Sequence, residues 1–294
     1  MSWFLFALLA AFSESLKDLF SKKGLESVQP HVAALAASAF SFPILLGFFL
    51  FTSGIPLIGP RYWEALLWGG ALNVLAFVQF MRALKASDLS FTIPFITFTP
   101  IFLLFSSPWL VGESPGSLGL LGILLIVGGS YILSVQGSNA SLLAPFFAIV
   151  KEPGPRRMLS VAAIYGLTSN FDKIGVLNSS PLFWSLSINI FMVLGLFVTH
   201  LFIRAPLVKK GPHVNFPLLL LIGFFSATTL IAHNMALSTA SVPAVIAIKR
   251  TSVLFAVLWG FWILREPNIR QRFFGATLMV IGIGLVAIAI DEGE

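Results

Sequence analysis

Hydrophobic positions in this chain come in long unbroken stretches, unlike the alternation of a half-buried strand or the narrow stripe of a surface helix. Ten such stretches lie at about 2–20, 31–53, 63–82, 89–111, 116–135, 158–175, 181–203, 215–236, 240–264 and 270–290. Each approaches the roughly 20 residues a helix needs to cross the hydrocarbon core. Short polar connections join them, with one exception. The segment 136–157, QGSNASLLAPFFAIVKEPGPRR, predicts a linker whose Gly, Pro and Arg break any spanning helix. Within it, SLLAPFFAIVK reads either as an amphipathic helix lying at the interface or as plain connection. The chain divides into 1–137, a linker 138–157, and 158–294, with five helices predicted on each side. The first stretch has no basic segment before it and carries Glu14, Lys17 and Asp18, so a spanning helix is expected there and not a cleaved signal.

Composition agrees with the pattern. Of 294 residues, 57% are hydrophobic and 10% charged, with mean hydropathy +0.94. Soluble domains carry about 25% charged residues, so the fold class is an all-α integral membrane protein. Cytosolic enzymes, nucleic-acid readers and secreted scaffolds are excluded as classes. The basic balance, with a pI near 9.8, reads as topology. Connections after the odd-numbered helices hold 13 Lys and Arg, from Lys22 to Arg272, and the opposite side holds only Arg61. Basic loops stay in the cytoplasm, which predicts both termini outside it, in a bacterial inner membrane. The absence of Cys removes disulfides, thiolate metal sites and cysteine nucleophiles. The four His are scattered, with no H-E-x-x-H. No enzyme, metal or cofactor is expected.

The two halves repeat one another. An offset of 153 pairs Leu84 with Leu237, Trp109 with Trp262, Glu113 with Glu266, Gly122 with Gly275 and Gly129 with Gly282. Upstream, an offset of 151 pairs Lys22 with Lys173, Gly24 with Gly175 and Pro30 with Pro181. An odd number of spans per half makes the second half enter the membrane from the opposite side. The result is an inverted-topology repeat, the architecture of secondary transporters, with a site expected near the midplane.

The stretches RALKASDLSFTIPFITFTPIFLLFSSPWLVGESPGSLGLLGILLIVGGSYIL and MALSTASVPAVIAIKRTSVLFAVLWGFWILREPNIRQRFFGATLMVIGIGLVAI carry small-residue endings to the third helices (RALKAS, MALSTA). They also carry fourth helices closing on Glu (VGE, LRE) and Gly-rich fifth helices. With these features the chain resembles the EamA family of the drug/metabolite transporter superfamily. The resemblance implies ten helices and alternating-access movement of small solutes. It leaves the substrate open among amino acids, drugs, nucleotide sugars and phosphorylated metabolites.

Ionisable residues at membrane depth are costly and mark function. Lys249 and Arg250 lie near the centre of span 240–264, and each cation there costs roughly 2.5–3.5 kcal/mol on insertion scales. Their first-half equivalents, Ile96 and Thr97, are uncharged. The pair is expected either to bind an acidic substrate group or to be neutralised structurally by buried carboxylates. The IKR stretch is also similar to the Lys-Arg pair of plastid triose-phosphate translocators. That likeness implies a third cation at Lys173 in SNFDKIG, although Asp172 departs from the translocator pattern.

Glu14 and Asp18 share a face of the first helix, with Lys17 between them. They are candidates for proton coupling or for a self-satisfying structural cluster. Tyr165, Asn170, Asn73, His233 and Thr97 are candidates for lining a polar cavity, with interhelical hydrogen bonding as the alternative. Pro94, Pro100 and Pro108 predict a kinked fourth helix, while the ninth has only Pro243, so the two are expected to be unequal. The Gly-rich fifth and tenth helices read as close-packed or dimer-forming surfaces, leaving monomer and homodimer both open. The sequence therefore predicts a secondary transporter of a small anionic or zwitterionic metabolite, with protons as a candidate coupling ion. A flippase for a lipid-linked sugar or an exporter of cationic drugs are the alternatives.

Overall fold

The computed structural model describes residues 2–26, 28–52, 54–133, 151–203, 215–263 and 273–291. These are nearly all helical. In chain order the helices are α1 (Ser2–Gly24), α2 (Pro30–Thr52), α3 (Tyr62–Ala86), α4 (Leu89–Thr92), a 3-10 segment (Ile93–Phe98), α5 (Thr99–Leu110) and α6 (Ser117–Leu133). The second half contributes α7 (Pro153–Leu177), α8 (Pro181–Ile203), α9 (Phe216–Leu237), α10 (Val242–Lys249), α11 (Ser252–Trp262) and α12 (Phe273–Asp291). Taking α4 through α5 as one broken crossing, and α10 with α11 as another, gives ten membrane helices in two inverted five-helix repeats.

Six crossings are long and apolar enough to span a membrane by composition, and two more, Ser117–Leu133 and Phe274–Ala289, are shorter and apolar. The remaining two, α1 and α7, fall short because they carry buried charge: Glu14, Lys17 and Asp18 on one, Asp172 and Lys173 on the other. Apolar side chains cover the outside. Phe51 is 92% and Trp109 90% exposed, an arrangement that lipid and not water accommodates.

The packing follows a pseudo-twofold axis. Helix α1 packs along α9 and its repeat equivalent α7 packs along α3, while α2 meets α8 and α6 meets α12. The glycines show the symmetry at atomic level. A Cβ on Gly122 would sit 2.7 Å from the Gly282 carbonyl oxygen, and one on Gly282 would sit 2.6 Å from that of Gly122. Gly129 and Gly275 face each other in the same reciprocal way, each 2.5 Å from the other's carbonyl oxygen. Two segments crossing antiparallel about a twofold exchange contacts in this manner, residue i meeting j′ and j meeting i′. These glycines are thus spent inside the chain, close-packing its two halves.

Two expectations change. The linker was to reach residue 157, but α7 begins at Pro153 with Pro155 in its first turn. Proline suits the first helical positions because its missing N–H has no intrahelical acceptor there. The rest of the linker, with most of SLLAPFFAIVK, lies outside the described residues. The second change concerns the broken helices. The first-half break falls at the 3-10 segment carrying Pro94, as its prolines predict. The second half breaks too, with no proline at the break: Arg250 and Thr251 separate α10 from α11. There the Arg250 and Thr251 amides reach back three residues to Ala247 and Ile248, and Val253 bonds Arg250 in the same way. Short 3-10 stretches inside helices often mark hinges. By the offset of 153, the two breaks are equivalent positions.

Candidate functional site

A cavity of about 150 Å³ opens between the halves. Helix α1 supplies Glu14 and Lys17, α3 supplies Asn73, and α7 supplies Tyr165, Thr168, Ser169 and Asp172. Helix α9 adds Thr229 and His233, while α10 and the break after it add Lys249 and Arg250.

Glu14 is the hub of one wall. Its Oε1 lies 3.5 Å from Lys249 Nζ and 3.8 Å from Lys17 Nζ, and its Oε2 lies 3.8 Å from Arg250 Nη1. Lys17 also pairs with Asp18 at 3.2 Å and sits 5.3 Å from the centroid of the Phe80 ring. Arg250, only 2% exposed, donates from Nη2 to Thr99 Oγ1 at 3.1 Å, joining the two breaks across the pseudo-twofold. The position of each cation has a local cause. The hinge after Lys249 turns Arg250 inward, and the i,i+3 spacing of Glu14 and Lys17 places both on the α1 face opposite its lipid-exposed Leu5 and Phe12.

The geometry of this cluster is slack. Charge-assisted hydrogen bonds run about 2.7–2.9 Å, whereas the contacts around Glu14 are 3.5–3.8 Å. Glu14 Oε2 and Arg250 Nε have no hydrogen-bond partner. The set holds three cations against two carboxylates and has unused donors and acceptors.

The opposite wall is built around Asp172. Gly175, one turn along α7, leaves no side chain in the way of the Trp184 ring, which packs directly on it. Trp184 Nε1 then donates to Asp172 Oδ1 at 3.0 Å, and Asp172 Oδ2 lies 3.8 Å from His233 Nε2. Nearby, Asn189 donates to Ser41 Oγ at 2.7 Å and Ser41 to the Ser38 carbonyl. Asn189 Oδ1, Ser226 Oγ, Thr229 Oγ1 and His233 Nδ1 line the cavity without hydrogen-bond partners.

Among the residues expected from sequence, Glu14, Lys249, Arg250, Tyr165, Asn73 and His233 meet on this cavity, with Asp18 held behind Lys17. Three lie elsewhere. Asn170 ties α7 to α5, donating to Ser106 Oγ and the Gly166 carbonyl and accepting from Ser107. Thr97 donates to the Pro94 carbonyl inside the 3-10 segment. Lys173 points away: its ammonium donates to the carbonyls of Leu237 and Ala240 at 2.8 and 2.9 Å and pairs with Glu113 at 3.4 Å. Glu113 in turn accepts from the Val242 amide at the start of α10. Lys22 does the same on the other face of the membrane, donating to the carbonyls of Leu84 and Ser87 at 2.6 Å each. These acceptors stand 153 residues before Leu237 and Ala240. Lys173 is thus one of two symmetry-related lysine clamps on the turns after α3 and α9, which is why it is absent from the cavity wall. Glu266 lies outside the described residues.

Sequence reasoning passed over Ser38, Ser41, Asn189, Ser226, Thr229 and Trp184. The one available signal was an Asn or a Ser interrupting otherwise apolar spans, expensive for a side chain facing lipid.

A ten-helix inverted repeat around a polar cavity between its halves is the construction of a membrane transporter. The family model described as the EamA-like transporter family matches residues 1–135 and 157–288. The chain belongs to that family. A solved structure titled "Crystal structure of protein" shares the fold, with a TM-score of 0.73 and 13% identity over 98% of this chain and 99% of that one. No curated protein matches the chain.

Proposed function

We propose that the protein moves a small anionic or zwitterionic metabolite, such as an amino acid, organic acid or phosphorylated metabolite, by alternating access. The observation that carries this reading is the slack ion cluster: two cations, the partly buried Lys249 and the buried Arg250, on a cavity wall, sharing one carboxylate at distances longer than a hydrogen bond. A substrate anion competes with Glu14 for Lys249 and for the unused Arg250 Nε. Asn73, Tyr165 and His233 supply further polar contacts from the surrounding helices. Because Arg250 sits in the α10–α11 break and bonds Thr99 just past the first-half break, its occupancy by substrate bears on both hinges at once. Protons serve as the coupling ion in this reading, with Glu14 and Asp18 as carriers. The basic loops orient both termini outside the cytoplasm, in a bacterial inner membrane.

The test pairs affinity with stability. Lys249→Met and Arg250→Met each remove one cation while Glu14 keeps two others. Ligand binding to each purified variant should fall by roughly 2–5 kcal/mol, with melting temperatures near the parental value. Parental affinity in both variants, or binding of cationic drugs alone, ends the assignment.

A further inference from the structure

The cavity has two unlike ends, and they define the charge pattern of its cargo. We propose that the Asp172 end receives a primary ammonium group, so that the substrate is a zwitterion whose carboxylate meets Lys249 and Arg250. This rests on the transporter reading above and sharpens it.

Charge balance is the first support. Three cations, Lys17, Lys249 and Arg250, and three carboxylates, Glu14, Asp18 and Asp172, lie on or directly behind the cavity wall. These six side chains therefore sum to zero charge when all are ionised. Adding a lone anion leaves a net charge in a membrane-embedded, weakly polarisable site, which is expensive. A zwitterion keeps the balance.

The second support is the state of Asp172. Its Oδ1 is held by Trp184, while its Oδ2 lies 3.8 Å from His233 Nε2. Among the described residues, no lysine or arginine pairs with it. The adjacent Lys173 is turned away to Glu113 and two backbone carbonyls. A buried carboxylate so placed keeps acceptor capacity that a cation can use.

Third, the neighbouring groups are oxygen acceptors without partners. Asn189 is 4% and Thr229 7% exposed, and Asn189 Oδ1 and Thr229 Oγ1 line the cavity with no hydrogen bond. An ammonium carries three donors. Asp172, Asn189 and Thr229 offer a matching set, whereas the opposite wall offers ammonium and guanidinium donors. Phe77, Ile188, Met192, Leu230 and Ile246 line the remainder, a surface suited to an apolar side chain.

Three matched probes separate the two ends: leucine, its deaminated acid 4-methylpentanoate, and its decarboxylated amine 3-methylbutylamine. Each is titrated calorimetrically into the full-length protein in lipid nanodiscs. Leucine should bind at least tenfold more tightly than either fragment. Asp172→Asn should weaken leucine at least tenfold, while 4-methylpentanoate, which then balances the remaining positive charge, should bind no more weakly than before. Thr229→Val removes no internal hydrogen bond, so the protein keeps its fold, and leucine alone should weaken several-fold. If 4-methylpentanoate binds as well as leucine and both are lost in Arg250→Met, the ammonium subsite is wrong and the anion site stands. Leucine binding unchanged in Asp172→Asn also overturns the subsite. Amine binding that survives Asp172→Asn at the parental affinity also overturns the subsite. No binding of leucine or of any other neutral amino acid also overturns the proposal.

Discussion

The periphery of this protein obeys its internal repeat, and its centre violates it. Away from the cavity, Lys22 and Lys173 grip carbonyls that correspond residue for residue, and Gly122 and Gly282 meet each other's backbone almost identically. Around the cavity the correspondence fails. Arg250 stands where the first half has Thr97, Glu14 where the second half has Tyr165, and Asp172 where the first half has Ser21. Symmetric parts must do the same work on both faces of the membrane, because clamping a turn or packing a helix is needed equally at each. A bound molecule has no twofold symmetry, so the groups that hold it are free to diverge. Departure from the repeat is therefore a marker of the site.

The largest expected effect breaks the comparison at its centre. Glu14→Gln leaves Lys17 with Asp18 and removes the carboxylate paired with Lys249 and Arg250, and stranding buried charge costs about 3–5 kcal/mol. Its repeat equivalent, Tyr165→Phe, removes no charge and should shift the melting temperature far less. A Glu14→Gln, Lys249→Met double variant should recover part of the loss, since contacting residues are not additive. Equal melting temperatures for Glu14→Gln and Tyr165→Phe end the view of Glu14 as the hub.

Much of this was legible in the sequence because lipid imposes simple rules. Ten apolar runs, the offset of 153, and the mid-span position of Lys249 and Arg250 all follow from the cost of exposing polar groups to hydrocarbon. What escaped was what depends on how side chains are aimed. Lys173 lies next to Asp172 in the chain, but neighbours on a helix diverge by about 100°: Asp172 faces the cavity and Lys173 the turn after α9. The second hinge escaped because it contains no proline at the break. Nothing local in IAIKRTS announces a 3-10 turn; it becomes explicable once Arg250 is seen reaching Thr99 in the other half.

An intermediate effect tests the symmetric periphery. Lys22→Met and Lys173→Met each delete a charged donor to two carbonyls, and hydrogen bonds to charged groups are worth about 1.5–3 kcal/mol. The two variants should lower the melting temperature by similar amounts, with ligand affinity largely retained in both. A large loss of binding in Lys173→Met alone would falsify its assignment as a clamp and return it to the substrate site.

The smallest effect sharpens the contrast between the two breaks. Thr97 donates only to the Pro94 carbonyl of its own 3-10 segment, and Ser130 also donates to that oxygen. Thr97→Val keeps the shape, removes one local bond, and leaves the carbonyl satisfied, so a change of about 1 kcal/mol or less is expected. Ligand affinity should stay at the parental value. The same substitution inside the other break, Thr251→Val, removes a hydroxyl that has no partner and should be as mild. Arg250→Met, between them in chain order, should be the variant that abolishes binding. If Thr97→Val weakens binding as much as Arg250→Met, the first-half hinge is part of the substrate site and the asymmetry inferred for the centre is an asymmetry of charge alone.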